Sequence, residues 1–278
     1  MTVDTSAGRI NRALAALVDD AGLFPPANLP MAEALSRHRH DTQYASPVLT
    51  HRFLCPVERI SELLEDLHRD DTIRIVLLGP TTGSSSDKVD DVIADPRVEV
   101  AALEAPLATL TVCHPALDRL PRYAEIHPDN LAALPAIAAA GLRAKIRCGG
   151  LQAEAFPSAR QLGRFIAECA RVGVGFKATA GLHHALPYRD RVTQFQHHGF
   201  LNILLAVARA ADGAPESQIV HVLQLADSTS VADEVRALGA ELAAAARRLF
   251  TAYGSCDTQQ PLDDLYSLGL ISRNGDPR

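Results

Sequence analysis

From Pro47 onward, short runs of β-branched and aliphatic residues alternate with longer amphipathic segments. Seven runs have the length and composition of strands: residues 47–55, 72–79, 98–105, 122–127, 142–148, 174–180 and 219–226. Segments long enough to form helices separate most of these runs. Strands joined by helical crossovers must pair in parallel, so the pattern predicts a parallel sheet covered by helices.

Three of the intervening segments have a clear helical pattern. Residues 158–173 begin with Ser158 and Gln161 at capping-box spacing and continue with apolar residues on one face. Residues 230–250 begin with a similar spacing of polar residues, and residues 195–211 also fit a helix. These segments are the crossovers that a parallel sheet requires.

The first 46 residues follow a different order, in which a helix, a break and a second helix succeed one another. Residues 10–22 carry apolar side chains at helical spacing, and the proline-rich stretch that follows stops the helix. Residues 31–41 then fit a second helix. We therefore expect an N-terminal helical extension over residues 1–46.

Taken together, these elements predict one α/β domain over residues 1–278, with a (β/α)8 TIM-type barrel over residues 47–278. No linker or change of composition divides the chain. The stretch "LFTAYGSC" at residues 249–256 is the candidate for the eighth strand, and the alternative is an irregular barrel. A doubly wound open parallel sheet is the alternative.

Composition and charge narrow the class of protein. A chain of 278 residues that is 47% hydrophobic can bury a large core, as expected of a soluble globular protein. A net charge of −6 and the absence of a long basic run argue against nucleic acid or a membrane surface as partner. A small-molecule substrate is the expected partner, and association into homo-oligomers stays open.

Cysteine usage and the N-terminal residues indicate a cytoplasmic protein. The five cysteines are odd in number and form no C-x-x-C motif, which is typical of reduced thiols rather than disulfides or a zinc ribbon. The N-terminal residues lack the apolar core of a signal peptide. No Gly-x-Gly-x-x-Gly motif follows a strand, so a dinucleotide is not expected, and no cofactor is predicted.

Charged residues lie on strands that a barrel would bury, and this is the strongest functional signal. Alternation places Arg143, Lys145 and Arg147 on one face of their strand, and Lys177 and Thr179 on one face of the next. In barrel enzymes the catalytic side chains lie near the C-terminal ends of the strands. The alternative is that such charges form a buried ion pair, for example Glu125 with Lys145, that serves packing alone.

The stretches "AKIRCGG" at residues 144–150 and "GVGFKATAGL" at residues 173–182 resemble the paired lysine strands of deoxyribose-phosphate-aldolase-type class I aldolases. The resemblance implies that Lys145 is the nucleophile that forms a Schiff base and that Lys177 lowers the pKa of its neighbour. The chain departs from the family motif at Arg147 and Cys148, which replace small hydroxyl residues. The stretches "DAGLFPPA", "FKATAGLHH", "HGFLN" and "GSC" also resemble a bacterial family of uncharacterised function.

A class I (Schiff-base) aldolase-like lyase acting on a small carbonyl compound is therefore the predicted function. An amine must be neutral to attack a carbonyl, and burial together with a second cation disfavours the ammonium form. The predicted catalytic residues are Lys145, Lys177, Glu125, His183 and His198. The predicted substrate-binding residues are Arg52, Arg147, Thr179, His184 and Asn202. Among these, Arg147 could orient an anionic group through its forked donors.

Two other functions stay open. The histidines between residues 183 and 198, with Glu125, could serve a metal-dependent hydrolase or isomerase, although adjacent histidines do not readily bind one ion and no metal ligand is assigned. A non-catalytic barrel could instead bind small anions with Lys145, Arg147 and Lys177. Asp20 could close the pocket or lie in solvent, and nothing in the sequence identifies a residue that would activate Cys256.

Overall fold

A barrel of parallel strands forms the centre of the molecule. The computed structural model describes residues 11–110 and 112–272 of the chain. Within that part, eight parallel strands close on themselves, so the predicted (β/α)8 barrel is confirmed and the alternative of an open sheet is wrong. In order around the barrel the strands are β1 (Val18–Asp20), β2 (Leu49–Pro56), β3 (Ile73–Leu78), β4 (Val98–Pro106), β5 (Arg122–Glu125), β6 (Arg143–Arg147), β7 (Phe176–Thr179) and β10 (Phe250–Ser255).

Helices connect most of these strands and cover the outside of the barrel. A small antiparallel hairpin of β8 (Tyr188–Arg189) and β9 (Gln196–His197) follows β7. The helices are α1 (Met31–Tyr44), α2 (Ile60–Asp66), α3 (Ser86–Ala94), α4 (Leu107–Leu110), α5 (Leu134–Ala139), α6 (Ala159–Val172), α7 (Phe200–Ala211), α8 (Glu216–Leu223), α9 (Ser228–Ala237), α10 (Ala240–Leu249) and α11 (Gln259–Ser267).

Helix α6 has both of its boundaries set by the sequence. The side chain of Ser158 accepts a hydrogen bond from the backbone N–H of Gln161, and the side chain of Gln161 accepts one from the backbone N–H of Ser158. The predicted capping box is therefore confirmed. The helix ends at Gly173, whose φ of 71° lies in the left-handed region that glycine adopts without strain.

The N-terminal segment contains the first barrel strand rather than a first helix. Residues 12–16 form turns, and β1 pairs with both β2 and β10, while residue 10 lies outside the described residues. The prediction of a helix is therefore wrong for residues 11–22, because apolar residues buried on a turn and a short strand can imitate helical spacing. The barrel therefore begins inside residues 1–46, which the sequence pattern assigned to a helical extension. The second helix predicted for that extension, over residues 31–41, is confirmed by α1.

Two segments after β7 also differ from the prediction. The sequence predicts a strand over residues 219–226, but α8 occupies most of them. A short apolar run occurs both in strands and in buried helices, so hydrophobic periodicity alone does not distinguish the two. Residues 230–250 form two helices and the start of a strand. The first helix is capped by Asp227, whose side chain accepts from the backbone N–H of Ser230. The stretch "LFTAYGSC" supplies the eighth strand as β10.

The barrel interior has an apolar part and a charged part. A separate apolar cluster contains Ala21, Leu54, Val76, Ala102 and Tyr123, whose positions on alternate residues place them inside the barrel. The larger core lies between the strands and the helices. The charged part consists of inward-facing residues, several of them two positions from the apolar ones on the same strands, and is described below.

A hydrogen-bonded layer, here called the floor, lies at the N-terminal end of the barrel interior and consists of Tyr123, Arg143, Arg247 and Thr251. Arg143 Nη1 donates to the Tyr123 hydroxyl at 2.9 Å, and the Thr251 hydroxyl lies 3.1 Å from the same oxygen. Arg247 donates to the backbone carbonyl groups of Ala15, Ala16, Phe250 and Thr251. The floor thereby ties the turn before β1 to β5, β6 and β10.

None of the helices in the described part of the chain combines the length and the hydropathy needed to cross a membrane.

Candidate active site

Two lysines are paired in the middle of the barrel. Lys145 on β6 is the register partner of Lys177 on β7, and the two residues are only 5% and 1% exposed. The sequence has three lysines among its 27 Lys and Arg residues, and the third, Lys88, lies on α3. Arginine keeps its proton in proteins, whereas a buried lysine can lose its own. Two of three lysines in one barrel therefore point to amine chemistry.

The ammonium groups alternate with carboxylates. Lys145 Nζ lies 2.9 Å from Glu104 Oε2 and 3.0 Å from Glu125 Oε2. Lys177 Nζ contacts Glu104 Oε1 and Asp19 Oδ2. These contacts form a continuous series, here called the ion chain, that runs in the order Glu125, Lys145, Glu104, Lys177 and Asp19.

Residues of β2 hold the inner end of the ion chain. Asp19 is fully buried, and its Oδ1 accepts from the Thr50 hydroxyl at 2.5 Å and from Arg52 Nε at 2.8 Å. Arg52 is one of the predicted substrate-binding residues. The structure brings it to the ion chain, where its charge contacts Asp19.

Opposite charges control the pKa values inside the barrel. Burial by itself would raise the pKa of Glu104, but the adjacent ammonium groups of Lys145 and Lys177 outweigh it and lower the pKa to about 2. Burial acts to lower the pKa of Lys177, and there the charges of Asp19 and Glu104 outweigh it, so the pKa is raised. The prediction that Lys177 keeps its neighbour neutral stays a prediction, and Glu104, which lies between the two lysines, separates their charges.

The charged side chains become exposed toward the C-terminal ends of the strands, here called the mouth. The side chains of Glu125 and Arg147 are 32% and 51% exposed, and Arg147 Nη1 lies 3.7 Å from Glu125 Oε1, too far for a hydrogen bond. Thr179 is the register partner of Arg147 on β7. Two predicted substrate-binding residues, Arg147 and Thr179, therefore lie together at the mouth.

The loops that follow the two lysine strands are in backbone contact. A Cβ atom added to Gly149 would lie 2.7 Å from the Cα atom of Gly181, which itself has a φ of 71°. The backbone N–H of Cys148 donates to the carbonyl group of Thr179 at 2.8 Å. Side chains at these glycines would force the loops apart, so the glycines fix the spacing of β6 and β7 at the mouth.

His183 lies beside Cys256 at the same end of the barrel. Its Nδ1 is 3.7 Å from the sulfur of Cys256, which directly follows β10. Burial is the main cause that lowers the pKa of His183, and the charges of the neighbouring His197 and His184 lower it further. Burial raises the pKa of the Cys256 thiol. Both directions favour the neutral forms at neutral pH, and a neutral thiol is a weak nucleophile.

The other predicted histidines bind separate partners. His198 is buried, its Nε2 lies 2.7 Å from the carbonyl oxygen of Pro157, and burial lowers its pKa. His184 Nδ1 lies 3.1 Å from a carboxylate oxygen of Asp264. Among the described residues, no group of three or more His, Cys, Asp or Glu side chains is arranged to hold a metal ion.

Two further polar residues lie outside the ion chain. Asn202 is fully buried on α7, and its amide donates to two backbone carbonyl groups at the C-terminal end of α8, both at 2.8 Å. Asp20 is buried rather than solvated, since it contacts Arg37 and His38 of α1. Burial acts to raise the pKa of Asp20, but hydrogen bonds and charges from these two residues outweigh it and lower the pKa.

Two residues of the ion chain, Asp19 and Glu104, were missing from the predicted site. Glu104 lies on a correctly predicted strand and on the same face as Ala102, so alternation could have identified it. Asp19 was hidden because its segment was read as a helix. Once β1 is recognised as a strand, Asp19 is the residue on it that points away from the helical core.

No protein-family model matches the chain, and no curated protein matches it.

Proposed function

We propose that the protein is a class I aldolase-like lyase that cleaves or forms a carbon–carbon bond next to a small carbonyl group. The observation that carries the proposal is the ion chain, in which a lysine near the mouth is flanked by two carboxylates. Such carboxylates can receive the proton that the amine must lose before it attacks. The earlier resemblance to deoxyribose-phosphate-aldolase-type enzymes agrees with this arrangement of paired lysine strands.

Lys145 is the proposed nucleophile. It contacts Glu125, which reaches the mouth and is 32% exposed, whereas Lys177 is enclosed by Asp19 and Glu104 and is 1% exposed. A carbonyl compound that enters from the mouth therefore meets Lys145 first. The raised pKa of Lys177 favours its ammonium form, which can donate a hydrogen bond or a proton but cannot attack.

The chemistry requires few groups beyond these. Lys145 passes a proton to Glu125 and adds to the carbonyl carbon, and loss of water gives the protonated imine. Glu125, which has returned its proton to the departing water, removes the proton of the β-hydroxyl group. The Cα–Cβ bond breaks, and its electron pair moves toward the imine nitrogen to give an enamine. The enamine then takes a proton at Cα, and water releases the second product and restores the amine. Positively charged Lys177 stabilises Glu104 as the carboxylate beside the reacting nitrogen.

A non-catalytic anion-binding barrel is the second candidate, and a specific observation favours it. The ion chain satisfies its own charges, while Arg147 at the mouth keeps a half-exposed guanidinium group without a close ion pair to Glu125. Such a group can bind a small anion without any turnover. The metal-dependent alternative has less support, because the predicted histidines contact different partners.

Borohydride reduction separates the candidates. The purified protein is incubated with a set of small aldehydes and ketones, reduced, and analysed by intact mass and peptide mapping. A reduced adduct on Lys145 that depends on both the carbonyl compound and the reductant supports the lyase. Binding of small anions without an adduct from any carbonyl compound would support the anion-binding barrel and reject the lyase.

A further inference from the structure

We infer that the substrate is a 2-oxo acid, in which a carboxylate is bonded directly to the carbonyl carbon, and that Arg147 binds this carboxylate. The inference rests on the proposed Schiff-base function and names its substrate class. For cleavage, the corresponding substrate is a 4-hydroxy-2-oxo acid, which yields a shorter 2-oxo acid and an aldehyde. The side chain of Glu125 lies between Lys145 and Arg147 and shows how far apart the two cations are.

A single carboxylate group spans the gap between the two cations. Glu125 places one oxygen 3.0 Å from Lys145 Nζ and the other 3.7 Å from Arg147 Nη1. A ligand that reaches both cations, while Glu125 stays on Lys145, must therefore bridge a distance about as short as one carboxylate. In a 2-oxo acid the carbonyl carbon and the carboxylate are adjacent, so the molecule fits this gap. A carboxylate or phosphate several bonds from the carbonyl would extend past Arg147.

Arg147 has the free donors that such a ligand needs. Its side chain is 51% exposed, and its contact with Glu125 is longer than a hydrogen bond. Lys145 and Arg147 lie two residues apart on one strand, so their side chains share a face and Arg147 is the one closer to the mouth. A guanidinium fork binds a carboxylate through two parallel hydrogen bonds, which is stronger and more directional than a contact from lysine.

Binding of the substrate carboxylate gives Glu125 a second role. Once the substrate occupies Arg147, Glu125 keeps only its contact with Lys145 and is the nearest exposed carboxylate to accept the proton of that ammonium group. Glu125 returns that proton to the hydroxyl group that leaves as water when the imine forms, and as a carboxylate again it accepts the proton of the C4 hydroxyl group. The C3–C4 bond breaks at the same time, and its electron pair forms the C2–C3 double bond of the enamine. The aldehyde departs, and C3 takes up a proton before water releases the 2-oxo acid.

Three methyl ketones test the inference by borohydride trapping. Pyruvate carries the adjacent carboxylate, methyl pyruvate has the same skeleton without the charge, and 4-oxopentanoate carries its carboxylate two carbons further away. The measured quantity is the concentration that gives half-maximal reduced adduct on Lys145. Charged hydrogen bonds of this kind are worth roughly 10- to 100-fold in affinity, so pyruvate should reach half-maximal trapping at a correspondingly lower concentration than the other two.

Variants of Arg147 link this preference to the proposed contact. Arg147→Gln should remove most of the preference for pyruvate over methyl pyruvate, and Arg147→Lys, which keeps the charge without the fork, should retain part of it. Arg164→Gln, on the exposed face of α6, is the matched control and should keep the full preference. Circular dichroism and urea unfolding establish that each variant is folded.

The trapping results test the 2-oxo acid inference and the Schiff-base function separately. Equal or easier trapping of methyl pyruvate or 4-oxopentanoate would overturn the inference, as would an Arg147→Gln protein that keeps the full preference. In either case an adduct on Lys145 still supports the Schiff-base function. Failure of all three ketones and of acetaldehyde to give any adduct rejects the Schiff-base function and, with it, the substrate class.

Discussion

Lys145 and Lys177 are register partners on neighbouring strands, and the carboxylate of Glu104 lies between their ammonium groups. This arrangement changes the electrostatic effect expected of two adjacent lysines. Each cation faces an anion, and the pair is neutralised locally instead of being repulsive. The proposed Schiff-base reaction therefore requires a proton to move from Lys145 to a carboxylate of the ion chain, because the charges around Lys177 favour its ammonium form.

Replacement of Lys145 should abolish imine formation without loss of the fold. Lys145→Arg keeps a positive charge beside Glu104 and Glu125 but has no amine that can form a Schiff base. We expect borohydride trapping with pyruvate to fall to the level of the unreduced control. Lys88→Arg on α3 is the matched variant and should trap like the parent protein. An undiminished adduct in Lys145→Arg, mapped to Lys177, would show that the nucleophile is misassigned.

Removal of the Lys177 charge should destabilise the fold strongly. Lys177→Met fills a similar volume but leaves Asp19 and Glu104 as buried carboxylates that have lost a cation. Breaking a buried pair in this way costs about 3–5 kcal/mol, which urea unfolding at pH 7 can measure. Lys88→Met, outside the barrel, should change the unfolding free energy by less than about 1 kcal/mol. Equal stability of the two variants would contradict the role given to the ion chain.

Stability should decrease in acid because of Glu104. Its pKa is about 2 in the folded protein against an ordinary value of 4.5, so its contribution is fully present above pH 4.5 and is lost as the pH falls toward 2. A difference of this size corresponds to roughly 3 kcal/mol. Urea unfolding between pH 2 and 6 should show a shallower acid decline for Glu104→Gln than for the parent or for the exposed variant Glu154→Gln. Parallel pH profiles would refute the assignment.

Two buried tyrosines should respond in opposite ways to loss of a hydroxyl group. Tyr123→Phe removes the oxygen that accepts from Arg143 and contacts Thr251 in the floor, which should cost about 1–3 kcal/mol. The hydroxyl of Tyr253 is buried and has no hydrogen-bond partner among the described residues, so Tyr253→Phe should be neutral or slightly stabilising. Thermal and urea unfolding would measure both. A larger loss for Tyr253→Phe would contradict this account of the two groups.

The parts of the fold that sequence reasoning predicted are those with strong local patterns. Alternation identified the strands of Lys145 and Lys177 and the face that points inward, and the capping box of α6 follows from Ser158 and Gln161 alone. The sequence was ambiguous where elements are short. Strand β1 has three residues, too few to show a period of two, and its burial on all sides imitates a helix.

The contacts between distant residues could not be read from the sequence. Asp19, Glu104 and Lys177 come from three strands separated by 85 or 73 positions, and only closure of the barrel brings them together. The same holds for the histidines. Their proximity along the chain suggested one cluster, but turns after β7 direct His184 toward Asp264 and His198 toward Pro157.

The floor has a kinetic consequence for a lyase. Tyr123, Arg143, Thr251 and Arg247 occupy the N-terminal end of the interior, so reactants and products share the passage at the mouth. In the proposed reaction, the fragment joined to Lys145 lies deeper than the aldehyde released from it. Departure must then be ordered, with the aldehyde first and the 2-oxo acid last. Product inhibition patterns would follow this order, and the 2-oxo acid alone would compete with the intact substrate for the free enzyme.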